Sequence, residues 1–122
     1  MPSIRAIRGA TQVEADTPAA IADATTELLR AVMADNRLSD GALVSATFTT
    51  TPDLRAAFPA EAARALGWSD VPMLCVQEMD VEGALPMCIR VLLHAEVPVP
   101  RRDVRHVYLR GARALRPDLG ND

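Results

Sequence analysis

Arg90 is a cation set inside an otherwise apolar run, Cys88-Ile89-Arg90-Val91-Leu92-Leu93-His94. If the run is a strand, alternation sends Ile89, Val91 and Leu93 to one face and leaves Arg90 on the other with Cys88, Leu92 and His94. That second face is too apolar to be free surface. A guanidinium placed there keeps its proton, so it requires an anion, either a protein carboxylate or a ligand. Glu78 stands just before the turn that leads to Arg90, and a strand-turn-strand connection brings the two within reach, as a plain ion pair or as part of a polar site. Cys75 and Glu78 point to opposite sides of a regular strand, so one site holds both only at a bulge or a strand end.

Other chemistries find less support. The gaps between Cys75, Cys88, His94 and His106 match no metal-ligand spacing, and no third group orients a Cys–His pair as a nucleophile. There is no phosphate loop and no dinucleotide fingerprint, so neither a metal nor a cofactor is expected. Charge is more informative. All 13 basic residues are Arg, so an arginine counts as a site residue only through its context. Residues 1–100 carry 7 Arg against 13 acids, whereas residues 101–122 carry 6 Arg against 3 acids. The C-terminal segment is thus a local positive field, either a solvated basic face or a collector of anions. Tyr108 and Arg116 lie in it, and with Arg8 and Arg90 they suit a cationic pocket for a small multi-anion. Nucleic acid is a poorer partner: the whole chain is acidic at -3, has only four aromatic residues (Phe48, Phe58, Trp68, Tyr108) and shows no recognition-helix pattern.

The elements that must position these groups are legible from periodicity. Ile4 to Thr11 alternates as a first strand, with Gly9 marking its end. Thr17-Pro18 caps and opens a helix through Ile21, Leu28, Leu29, Val32 and Met33 to about Asp35. Leu43 to Thr50 is a half-buried strand, and Pro59 opens a second helix through Leu66 that Gly67 stops. Val71 to Met79 and Met87 to Ala95 are the third and fourth strands, Arg105 to Leu109 a short fifth, and Gly111 to Arg116 a final helical turn before Pro117. This order predicts a mixed α/β (α+β) domain: a five-stranded mixed sheet with two main helices on one face. Two helices cannot cover five strands twice, so the open face and the edges call for self-association. At 122 residues the chain makes one domain, and area scaling buries about two-thirds of its unfolded surface. No apolar run is long enough for a membrane span and the start lacks a signal-peptide stretch, so no membrane partner and a cytoplasmic location are expected. Two cysteines are too few for a disulfide framework.

Several spaced motifs resemble those of the monofunctional α/β-type chorismate mutases nearly end to end. They are Ile-Arg-Gly-Ala-Thr at 7–11, Thr-Pro-Asp-Leu at 51–54, Phe-Pro-Ala at 58–60, Gln-Glu-Met-Asp-Val at 77–81, Cys-Ile-Arg-Val at 88–91, Arg-His-Val-Tyr-Leu at 105–109 and Leu-Arg-Pro-Asp-Leu at 115–119. The resemblance implies a homotrimer of pseudo-α/β-barrel shape with active sites between neighbouring subunits. It also implies a Claisen rearrangement of chorismate to prephenate, on the route to phenylalanine and tyrosine, with no cofactor. Matched residue by residue, it makes Arg90 the cation beside the breaking ether bond. Glu78 and Cys75 contact the ring hydroxyl, while Arg8, Tyr108 and Arg116 hold the substrate carboxylates. Phe58, Ala60 and Arg64 form a wall from the neighbour, Met73 and Leu74 an apolar lining, and Leu115 part of a closing tail in a segment, residues 111–122, expected to be mobile. Where relatives often carry lysine on the neighbour's helix this chain has Glu61. The alternatives are a trimeric, non-catalytic sensor of an anionic metabolite, a trimeric imine deaminase and a basic-tail nucleic-acid binder.

Overall fold

A computed structural model of the chain describes residues 3–115. Strand β1 (Ile4–Gln12) is followed by helix α1 (Pro18–Asp35), β2 (Leu43–Thr50), α2 (Pro59–Ala65), β3 (Met73–Gln77), β4 (Cys88–Glu96) and β5 (Val107–Tyr108). Short 3-10 turns span Asp40–Ala42, Arg101–Asp103 and Arg110–Leu115. The strands form one sheet in the order β3-β2-β4-β1-β5. The central strand β4 runs antiparallel to both neighbours, whereas β2–β3 and β1–β5 are parallel pairs. The fold is therefore the five-stranded mixed sheet with two main helices that the periodicity predicts.

Local chemistry explains the helices. The Thr17 hydroxyl accepts the Ala20 N–H at 3.1 Å, and Pro18, which has no N–H to satisfy, occupies the first turn of α1. Ile21, Ala24, Leu28, Leu29 and Val32 then bury one stripe. Beyond its end the Asn36 side chain donates to Val32 O and Arg105 O, both at 2.9 Å, and accepts the Arg105 N–H at 2.8 Å. This clamps the helix terminus to the segment that enters β5. In α2, Ala60, Ala62 and Ala63 are buried, and Gly67 leaves the helix at a φ of 102°, a left-handed conformation in which glycine carries no Cβ penalty.

Both helices pack on the same face of the sheet. Leu28, Leu29 and Val32 from α1 and Ala60 and Ala63 from α2 share a core with Ile7, Ala46, Phe48, Val91 and Leu93 of the strands and with Trp68. Gly9 does not end β1; it lies under α1, where an added Cβ would stand 3.1 Å from Leu28 and Val32 and 3.2 Å from Val91. The helix rests on the sheet so closely because that side chain is missing. Strand β3 starts only after Pro72, which cannot donate to a ladder, and stops at Gln77. Strand β5 is two residues long because the Arg8 N–H bonds the His106 side chain, at Nδ1 and 3.0 Å, in place of a backbone carbonyl.

The opposite face is open over most of its width. At its β5 end Ala10, Tyr108 and Ala112 are buried together, with Leu85 and Leu115 against them, so the turn Arg110–Leu115 covers that corner. Of the tail expected to be mobile, residues 111–115 belong to this turn and residues 116–122 lie outside the described part.

Candidate active site

The open face carries its polar groups in two rows fixed by strand register. One row reads Tyr108, Ala10, Arg90, Thr49 and Val76 across five strands; the next reads Arg8, Leu92, Thr47 and Leu74 across four. Between the rows lies a hollow of about 260 Å³ lined by Arg8, Thr47, Thr49, Arg90, Leu92 and Tyr108. Sequence neighbours of Arg90 point away into the core, since Ile89, Val91 and Leu93 are buried under the helices.

Arg90 is held from one side. Its Nε donates to Glu78 Oε2 at 3.1 Å, and the Thr49 hydroxyl donates to the same oxygen at 2.6 Å. Glu78 lies one residue beyond β3, with its backbone N–H on Thr50 O at 2.9 Å. Glu78 thus stands at a strand end, but Cys75 stays on the helix-covered face, and one chain does not bring the two together. The Glu78 side chain is 14% exposed and that of Arg90 42%, so the carboxylate is mostly covered while much of the guanidinium still faces the hollow. Arg8 is exposed at the rim, and among the described residues no carboxylate pairs with it. Tyr108 is buried with its ring against Ala10 and Ala112.

The start of β4 is braced from below. The Asp53 carboxylate accepts the Met87 N–H at 3.0 Å and the Thr51 hydroxyl at 2.5 Å, and the Thr51 hydroxyl oxygen accepts the Cys88 N–H at 2.9 Å. Met87 has a φ of 55°, uncommon for a residue with a side chain, and the two Asp53 contacts hold the chain there. Cys88, fully buried two residues before Arg90, has its thiol pKa pushed up to about 11. Burial is the main cause, Glu78 and Asp53 add to it, and the Arg90 charge opposes it.

The remaining candidates do not gather around Arg90 within one chain. Cys75 stands opposite Phe48 in register and packs against the helix-covered core, so the sheet separates its thiol from the Arg90 face. It borders a second hollow of about 380 Å³ that Phe58, Glu61, Val76 and Gln77 also line. Ala60 is buried and Arg64 exposed on α2, on the helix side. Phe58 is 63% and Leu74 66% exposed, an unusual display of apolar surface, while Met73 is partly buried on the edge strand. Leu115 packs beside Tyr108, and Arg116 lies outside the described residues. Thr49 was missed by motif reading: its one signal is that Ser45, Thr47 and Thr49 place hydroxyls on successive outward positions of β2. The described residues hold no group of three or more potential metal ligands.

Among known proteins, residues 4–119 match the family described as chorismate mutase type I. The chain is 48% identical over 117 residues to chorismate mutase AroH of Bacillus subtilis, covering 95% of this chain and 92% of that protein. It is 51% identical over 117 residues to chorismate mutase AroH of Thermus thermophilus, covering 95% and 96%. A solved chorismate mutase from Clostridium thermocellum shares its fold with a TM-score of 0.88 at 44% identity, covering 89% of this chain and 97% of the other.

Proposed function

The chain belongs to the chorismate mutase type I family, and we propose that the hollow on the open face of its sheet is where it rearranges chorismate to prephenate. As a chorismate mutase it is an isomerase. The reaction is pericyclic: the carbon–oxygen ether bond breaks as a carbon–carbon bond forms, and negative charge builds on the departing oxygen. Such a step asks for a preorganised cation at that oxygen and for a clamp that holds the substrate compact. One observation supports Arg90 as the cation: its Nε is committed to Glu78, while the rest of its guanidinium faces a hollow shared with Arg8 and Tyr108. In this reading Arg8, Tyr108 and Arg116 hold the two substrate carboxylates and Glu78 takes the ring hydroxyl, while the Cys75 segment reaches that hydroxyl from a second copy, since within one chain the sheet lies between it and Arg90.

The site is completed by a second copy of the chain. Phe58, Ala60, Arg64, Met73 and Leu74 of a neighbour form the facing wall, Leu115 helps to close it, and three copies make three such clefts. Support comes from the exposed Phe58 and Leu74 and from the unpaired outer edge of β3. Among the described residues both cysteines are free, the state that a reducing compartment maintains, and the cytoplasm is the proposed location. The same residues form no helix long and apolar enough to cross a membrane.

The test is conversion of chorismate to prephenate followed optically, with Arg90→Ala and Arg90→Lys alongside. Wild-type turnover should fall by roughly a thousandfold or more in both variants while the assembly stays intact. Lysine fails with alanine because a point charge cannot hold Glu78 and the ether oxygen as a planar fork does. An active Arg90→Ala enzyme would remove the cation from the mechanism.

A further inference from the structure

Thr49 lies on the open face beside the central strand, opposite Arg90 on one side and Val76 on the other. Its hydroxyl and Arg90 Nε both donate to one oxygen, Glu78 Oε2, at 2.6 and 3.1 Å. Among the described residues the other oxygen, Oε1, and the two terminal nitrogens of Arg90 have no protein partner. The three side chains therefore divide their hydrogen-bonding capacity: one carboxylate oxygen and one guanidinium nitrogen are tied to the protein, Thr49 and Arg90 line the hollow, and Oε1 is left for a ligand at its edge. Hydrogen bonds with an ionised partner are the stronger kind, and a mostly covered carboxylate with two donors on one oxygen has its rotation about the terminal bond fixed.

We propose that Thr49 is a positioning residue for the rearrangement. By holding Oε2 it keeps Oε1 directed at the substrate and, through the shared oxygen, sets the direction of the Arg90 guanidinium. The inference rests on the assignment of Arg90 and Glu78 to the active site. A threonine suits this duty because branching at Cβ restricts χ1, so the hydroxyl stays aimed across the sheet. A merely structural Thr49 would need only its shape, and valine has the same shape with at least equal strand propensity.

The experiment compares Thr49→Val and Thr49→Ser with wild type for kcat, KM and thermal midpoint, and repeats Thr49→Val in a Glu78→Ala background. Thr49→Val should lower kcat roughly tenfold with KM within about twofold and no loss of thermal midpoint, because a misdirected cation costs transition-state stabilisation above all. Thr49→Ser should recover most of the loss, and Thr49→Val should have no further effect once Glu78 is alanine. Wild-type kcat in Thr49→Val, no recovery in Thr49→Ser, or an undiminished loss in the Glu78→Ala background would each overturn the proposal. An active wild type with a dead Arg90→Ala and an unaffected Thr49→Val overturns this inference alone. A wild type without turnover overturns it together with the site.

Discussion

Cys88 and Arg90 sit two positions apart on one strand, and burial acts on them differently because one is neutral at pH 7 and the other is charged. The thiol can stay protonated, and burial pushes its pKa from 9.0 to about 11. The guanidinium cannot shed its proton, so the fold supplies Glu78 instead. The consequence for stability has a definite sign. Between pH 9 and 11 the unfolded thiol has lost its proton while the folded one keeps it, so stability falls as pH rises through that window, by at most about 1.4 kcal/mol per unit. Urea midpoints measured from pH 8 to 11 should therefore slope downward, and Cys88→Ala, though less stable at pH 8, should flatten the slope. An unchanged slope in Cys88→Ala would assign the alkaline loss to other groups. Arg90 was legible in the sequence because a cation in an apolar run violates the pattern around it. Thr49 was not, since threonine is an ordinary strand residue and only register brings its hydroxyl to Glu78.

Whole elements were read from periodicity to within a residue or two where a start signal and a long stripe coincide, as for Thr17-Pro18 opening α1 and for the alternation of β2. The short edge strands were over-extended because ladder pairing decides their ends, and Pro72 and the His106 side chain interrupt that pairing from outside the local pattern. Strand order and the parallel β1–β5 contact depend on long-range pairing and leave no local trace. Gly9 shows how one residue type carries two meanings: a strand end in sequence and a close helix approach in space. Filling that approach is expected to be costly. Gly9→Val would press a branched side chain into Leu28, Val32 and Val91, whose atoms already lie about 3.1–3.2 Å from a bare Cβ, and should cost about 2 kcal/mol or more in denaturant unfolding. A Gly9→Val protein as stable as wild type would mean that α1 is free to lift from the sheet.

For the molecule as a whole, the sheet itself decides whether one chain can build the site. Arg90 faces the open side, whereas Arg64 projects from α2 on the covered side, with the sheet and its core between them. If both serve one cleft, the two arginines must come from different copies, and inactive variants should complement each other. In a closed trimer co-expressed from equal amounts of Arg90→Ala and Arg64→Ala, a cleft is intact only when one particular subunit supplies Arg90 and its neighbour supplies Arg64. Random assortment satisfies that in about one cleft in four. The whole co-expressed population should then show about a quarter of wild-type turnover, and assemblies purified to contain both variants about a third, although each variant alone is impaired. Light scattering on the same samples checks that three chains are present. Mixed assemblies no more active than the average of the two parents would confine each site to a single chain, and the exposed Phe58 and Leu74 would then need another explanation.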